Sequence, residues 1–288
     1  MNGKGICYRL YRKCCYFLNR IKINTAANEN ALNREPRDRK LIVSLTSYPA
    51  RFPYIHLTLK SIMLQTVKPD KIIVWLDENV TRAQYTEEMM ALEKYGVEYR
   101  TAPGALKPHK KYIHAMQEYP EAVIITVDDD VIYSPNVIKS LMETHKKYPS
   151  AVCARRVHRI TRNREGKLAP YSEWQGEYMQ ERQPSYELLA TGVGGVLYPP
   201  HCFDNRAFDM ELIRKLCLGA DDIWLKVMEL LAGTKVVWAP CHIPTPEEIK
   251  ESQESNLRSE NVKSDKNDVY MYDLLKYFHV NEDCFWKA

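Results

Sequence analysis

An α/β fold with a mainly parallel, doubly wound sheet is what this sequence of 288 residues predicts. Three observations carry that expectation. Short apolar runs alternate with segments of helical periodicity four times before residue 130, the pattern of strand–helix–strand units. The connections are short, which places consecutive strands side by side in one sheet. The fourth apolar run drives into three consecutive aspartates, Asp128, Asp129 and Asp130, and strand ends are where open α/β sheets bind ligands.

Each element has its own signal. Residues 40–45 (Lys-Leu-Ile-Val-Ser-Leu) form a short apolar run, hence a buried strand. A polar turn follows over residues 46–51, containing Thr46, Ser47 and Arg51. Leu57, Ile62 and Leu64 fit a helix that ends before Pro69. The second strand covers residues 71–76 and stops at Asp77. Residues 83–95 read as a helix stopped by Gly96, and residues 97–100 as a short strand. A helix over residues 108–119 carries Lys110 and Lys111 near its start and leads to the strand that ends in the aspartates. Beyond them, residues 136–147 form a helix after Pro135, and residues 151–155 a strand. Residues 155–164 are an arginine-rich loop, either solvated or facing phosphates. Gly192, Gly194 and Gly195 crowd a segment over residues 188–198, which implies positive φ angles or close backbone approach to a sugar or phosphate. The pair Asp221-Asp222 opens a further helix, where carboxylates gain from the helix dipole; Asp221 suits the cap position. Residues 235–238 are a last strand, followed by His242, read as a ligand or a surface residue.

The ends of the first, second and fourth strands then share one edge of the sheet, so Thr46 to Arg51, Asp77 and the aspartate triplet line a single crevice. Three adjacent carboxylates repel one another, and burying them uncompensated is costly. A divalent cation relieves that repulsion, and oxygen-only ligands select Mg²⁺ or Mn²⁺, which bring substrate phosphates with them. Taken alone, the triplet reads as well as a solvated acidic turn.

Composition bounds the rest. The formal charge of +4 is too small to argue for nucleic acid. The eight cysteines show no zinc spacing and no paired motif, the pattern of reduced thiols in a cytoplasmic protein. Neither a dinucleotide glycine fingerprint nor a Walker loop follows the first strand. Residues 1–36 form a basic amphipathic segment and linker, with Ile6, Leu10, Phe17 and Ile21 at helical spacing among Arg9, Arg12, Lys13, Arg20 and Lys22. The apolar stretch is too interrupted to be a signal peptide or to span a bilayer. It fits a helix lying on an anionic membrane surface at the inner, cytoplasmic face, or one packed on its own domain or a partner. The main domain covers residues 37–245. Residues 246–288 form a tail, charged and surface-bound at first, ending in a closing helix.

An acidic strand end at Asp128-Asp129-Asp130, a glycine-containing segment and then Asp221-Asp222 at a helix start resemble the GT-A glycosyltransferases, most closely the bacterial family 2 type. The likeness covers residues 40–240. It implies a single GT-A domain, Rossmann-like, with a mainly parallel sheet flanked by helices; the N-terminal amphipathic helix and the C-terminal helical tail lie outside the likeness. It further implies a nucleotide-sugar donor, Mn²⁺ or Mg²⁺, a saccharide or lipid-linked acceptor, and a role in surface polysaccharide synthesis. By position, Thr46, Ser47 and Arg51 face the nucleotide, Asp77 the base or ribose, and Lys110 the phosphates. Asp128 and Asp130 hold the metal in the DxD element. Asp128 and Asp129 also contact the nucleotide sugar, as do Gly194 and Gly195. Asp222 is the general base, with Asp221 standing where many members carry Glu. Single displacement inverts the anomeric centre. A retaining transferase, a nucleotidyltransferase and a non-catalytic carbohydrate-binding protein are the competing readings.

Overall fold

A computed structural model describes residues 3–25, 31–180, 182–240, 246–252 and 265–287; His242 lies outside them. The main sheet takes its strands from the expected runs: β1 (Leu41–Thr46), β2 (Lys71–Asp77), β3 (Val97–Ala102), β4 (Val123–Thr126), β6 (Val152–Ala154), β9 (Val196–Tyr198) and β10 (Val236–Trp238). The seven lie in the order β10-β6-β9-β4-β1-β2-β3, and only β9 runs antiparallel to its neighbours. Two small ribbons stand beside the sheet. One joins β7 (Val157–Arg159) to β8 (Leu188–Ala190); the other joins β5 (Val131–Ile132) to β11 (Glu247–Glu248).

Helices cover both faces, as the unbroken apolar runs require. Alternate residues of one strand point to opposite sides: Val152 and Ala154 join one core, Cys153 the other, and Leu197 opposes Val196 and Tyr198 in the same way. On one face, α2 (Phe52–Met63), α3 (Glu87–Glu93) and α5 (Val137–Lys147) supply Phe52, Ile55, Leu59, Met89 and Leu141. The other face carries α4 (Lys110–Glu118), α6 (Met210–Leu216), α7 (Asp221–Ala232) and α8 (Lys266–Tyr277), with Tyr112, Ile213, Trp224 and Leu274 in the core.

Some boundaries differ from the sequence reading. The helix expected over residues 83–95 is confined to α3, because Thr81 starts a separate capped 3-10 turn over Arg82–Gln84 and Thr86 then caps the helix proper. The arginine-rich loop contains a strand, β7. Residues 246–252 are not a surface excursion: β11 pairs with β5, and Ile249 is fully buried.

The N-terminal helix α1 (Gly3–Thr25) packs on the domain through Ile23, which clusters with Leu57, Ile132 and Ile249. Arg20 adds an ion pair to Glu251 at 3.0 Å. The six described cysteines that the structure resolves as thiols, Cys14, Cys15, Cys153, Cys202, Cys217 and Cys284, are all free.

Gly195 turns the chain from a 3-10 turn into β9 at φ 89°, and a Cβ there would lie 3.3 Å from a methyl of Val137. Gly195→Ala is therefore expected to lower stability by about 1–3 kcal/mol, measured as a fall in the urea midpoint with an unchanged slope.

Candidate active site

The strand ends on one edge of the sheet open into a cavity of about 780 Å³. That volume lies within the usual range of small-molecule sites. Thr46, Ser47, Arg51, Asp77, Lys110, Asp128, Asp129, Asp130, Asp221 and Asp222 all line it. Gly194 and Gly195 do not. They sit behind the wall, where a Cβ on Gly194 would meet the backbone of Arg156 at 2.8 Å. Of the three glycines in that segment, Gly192 reaches the cavity.

The triplet is held by α2. Thr58 Oγ1 donates to the Asp129 carbonyl at 2.9 Å and accepts from the Val131 amide at 3.2 Å. Ser61 accepts from the Tyr133 amide, and Gln65 donates to the Ser134 carbonyl. Thr58 and Ser61 lie one turn apart on α2, and Gln65 follows just past its end, so this edge of the helix and the residue beyond it fix the backbone that leaves the aspartates. Tyr133 turns back beneath the triplet, its hydroxyl accepting from the Asp128 amide at 2.9 Å and donating to the Val193 carbonyl at 3.3 Å.

Two cations divide the carboxylates between them. Arg51, almost wholly buried, places Nη1 at 2.6 Å from Asp130 and 3.8 Å from Asp129. Its Nε reaches the Tyr48 hydroxyl, and Nη1 donates to Ser252 in the returning C-terminal segment. Ser47 donates to Asp129 at 2.6 Å. Burial and the neighbouring Asp130 nonetheless push the Asp129 carboxyl up to about 7. The second cation, Lys111, was missed by sequence reasoning in favour of its neighbour. Its Nζ lies 2.9 Å from Asp128 and 2.8 Å from Asp221. Burial works against the ammonium, yet Asp128, Asp221 and Asp222 together hold it charged, well above the usual lysine range. Lys110 points instead to Asp77 at the end of β2, at 2.5 Å. Ser44 accounts for the placement: its hydroxyl donates to the Lys111 carbonyl and accepts from the Trp75 indole, tying the first turn of α4 to the sheet. The adjacent pair Lys110-Lys111 gave no sign of which lysine would turn inward.

The late acidic pair splits in character. Asp221 does not cap α7; Ala220 occupies the N-cap position and Asp221 is the first helical residue, turned to Lys111. Burial alone would raise its carboxyl, but Lys111 and His109 hold it below the usual range. Asp222 is half-buried and accepts the Gly192 amide at 3.1 Å. Burial and the charge of Asp221 push it up to about 8, against the pull of Lys111. Gly192 has no room for a side chain: a Cβ would lie 2.7 Å from Lys111 Nζ and 3.4 Å from Asp222. His109 ties the start of α4 to the approach to this pair, with Nε2 donating to the Cys217 carbonyl at 2.8 Å. Full burial lowers its imidazole to about 4. His158, Tyr171 and Trp174 also line the cavity, the two aromatic rings 4.9 Å apart; Trp174 belongs to the buried core, and Tyr171 and Tyr178 pack against it.

The donor set at the triplet is chemically suited to Mg²⁺ or Mn²⁺, being all carboxylate. Among the described residues, no three acidic, His or Cys side chains converge into a ready cage.

A family model described as glycosyl transferase family 2 matches residues 43–217. No curated protein matches the chain in sequence at a significant level. Among solved structures, GalNAc-T7 with UDP, GalNAc and Mn²⁺ is similar with a TM-score of 0.50 at 11% identity, over 88% of this chain and 56% of that one. Staphylococcus aureus TarS, residues 1–349, is similar with a TM-score of 0.42 at 16% identity, over 72% and 59% of the two chains. The UTP-bound UGPase from Acinetobacter baumannii has a TM-score of 0.42 at 12% identity, over 83% and 93%. At such identities the likeness to GalNAc-T7 speaks to the fold alone, and the chain spans little more than half the length of GalNAc-T7 or TarS.

Removing one partner of a buried ionic cluster leaves the others unpaired, at a cost of about 3–5 kcal/mol. Lys111→Met should lose that much stability in urea unfolding, and Lys110→Met, whose partner Asp77 is more exposed, far less. Equal losses would show that Lys111 does not carry the cluster.

Proposed function

Because the chain belongs to glycosyl transferase family 2 and is a glycosyltransferase, we propose that it moves a sugar from a nucleotide-sugar donor to a saccharide or lipid-linked saccharide, with inversion. The observation that carries this reading is the convergence of two acidic groups in one crevice. Asp128 of the triplet and Asp222, its carboxyl raised to about 8, both border Gly192, where a Cβ would lie 3.3 Å from the one and 3.4 Å from the other.

Thr46, Ser47 and Arg51 line the end of the crevice that would take the nucleotide, with Asp77 placed for its ribose or base. Mn²⁺ or Mg²⁺ would be held by Asp130 and Asp128 and would supply Lewis-acid neutralisation of the leaving diphosphate. Arg51 and Lys110 add fixed positive charge on that side, and their buried stems keep water from the charges. Asp222 takes the proton from the acceptor hydroxyl as it attacks the anomeric carbon. A carboxyl tuned towards neutral pH is a stronger base than an ordinary aspartate. Asp221 cannot share that task while Lys111 holds it ionised and hydrogen-bonded. The lining that includes His158 and the half-buried Tyr171 suits an acceptor sugar, whose ring stacks on an aromatic face. A basic N-terminal helix without acidic residues brings peripheral contact with the inner face of a membrane into the reading, and with it surface polysaccharide synthesis.

Asp222→Asn keeps the size of the side chain and removes its basicity. Transfer should fall by about two to four orders of magnitude, with donor affinity little changed. In the wild type, kcat/KM should rise with pH as Asp222 loses its proton and level off above about 8. That rising limb should be absent from the residual activity of the variant. A β-linked product from an α-linked donor is required, and an α-linked one rejects single displacement.

Asp130→Asn tests the metal separately. Thermal shift with UDP, GDP or CDP should show stabilisation that depends on Mn²⁺ in the wild type and is lost in the variant. Equal metal-dependent stabilisation in both proteins would remove Asp130 from the metal site.

A further inference from the structure

We infer that the outward face of α1 is a docking surface for an anionic lipid bilayer. The inference rests on the membrane contact proposed above and specifies the face that makes it. The helix is seated in one rotation only. Ile23 is buried against Leu57, Ile132 and Ile249, Tyr16 packs on the same cluster, and Arg20 is paired with Glu251. With that face fixed, helical spacing turns Leu10, Phe17, Leu18 and Ile21 away from the body. Phe17 is 63% exposed, Leu10 58%, Leu18 56% and Ile21 43%. A surface helix of a soluble domain turns its apolar stripe to the core; this one turns it to the surroundings. Lys13 and Lys22 are exposed beside the stripe.

Charge selects the occupant. The helix carries six basic residues and no acidic one. Two copies of such a helix repel each other, which disfavours a dimer through this face. A bilayer surface containing anionic lipids attracts each lysine and admits the apolar side chains at the acyl boundary. No helix among the described residues is long and apolar enough to cross a membrane, so the contact lies in the plane of the headgroups. The seat of α1 is next to the ribbon of β5 and β11, where Ile249 donates its amide to the Asp130 carbonyl at 2.7 Å. Docking therefore sets the acidic end of the crevice close to the lipid surface, where the saccharide of a lipid-anchored acceptor is presented.

The test is sedimentation of the full chain with vesicles of phosphatidylcholine, alone or mixed equally with phosphatidylglycerol. The wild type should bind the mixed vesicles and release as salt is raised. Lys13→Gln with Lys22→Gln should weaken that binding by about thirtyfold, from about fivefold for each lysine near an anionic surface. Phe17→Ser with Leu18→Ser should weaken it by about tenfold or more, as buried apolar area is lost, with the circular dichroism and melting temperature unchanged. Vesicle binding that survives both double variants would keep the membrane contact and overturn this face as its site. Absence of binding by the wild type would overturn both. Self-association of the wild type that Phe17→Ser abolishes, without vesicle binding, would assign the stripe to a second copy of the chain. Stabilisation by UDP with Mn²⁺ on the same samples tests the transferase reading independently, since these residues lie outside the crevice.

Discussion

The ammonium of Lys111 is the interaction on which the site depends. It lies between Asp128, at the end of β4, and Asp221, at the start of α7. These carboxylates come from segments far apart in the chain, and each would resist burial without a counter-charge. Ser44 fixes the lysine from the sheet, and Gly192 clears the space around its tip. The lysine thus settles a division of labour between adjacent aspartates. The one it touches stays ionised and engaged; the next is left with a raised carboxyl and an open side.

The sheet was legible because strands buried on both faces write themselves as unbroken apolar runs. Runs such as Leu41–Thr46 and Lys71–Asp77 leave no other economical reading. The crevice was legible for a related reason: polar residues at the ends of such runs must share one edge once the strands are parallel. Long-range chemistry hid the rest. Nothing local in Lys110-Lys111 tells which lysine turns inward; Ser44 and Asp221 decide it. The glycines at 194 and 195 signalled close backbone approach correctly, and what approaches them is Arg156 and Val137. The run Glu247–Glu248 carries no strand signal of its own, because its partner β5 is only two residues long and the pairing is set by the buried Ile249.

Residues 246–252 connect parts of the molecule that the chain order keeps separate. Glu251 holds Arg20 of the N-terminal helix, while Ser252 accepts a hydrogen bond from Arg51, the cation that spans Asp129 and Asp130. A charged and unremarkable stretch of sequence therefore forms one wall of the acidic end of the crevice. It also supplies the seat on which the amphipathic helix rests.

The position of β9 governs how the two halves of the sheet come together. It runs antiparallel between β4 and β6, so neither of those strands has its full set of partners until residues 196–198 arrive. A nascent chain that has emerged only through α5 holds β4 as an open sheet edge, with the repelling aspartates at its tip and no Asp221 to share Lys111. Such an edge invites pairing with another chain, and its contacts are of the long-range kind that form late in folding. Insertion of β9 removes the hazard and brings the glycine segment beneath the aspartates in the same event. Protection of the β4 edge and delivery of the glycine segment to the crevice are consequently acquired together during synthesis, ahead of the Asp221-Asp222 pair and residues 246–252 that complete the site.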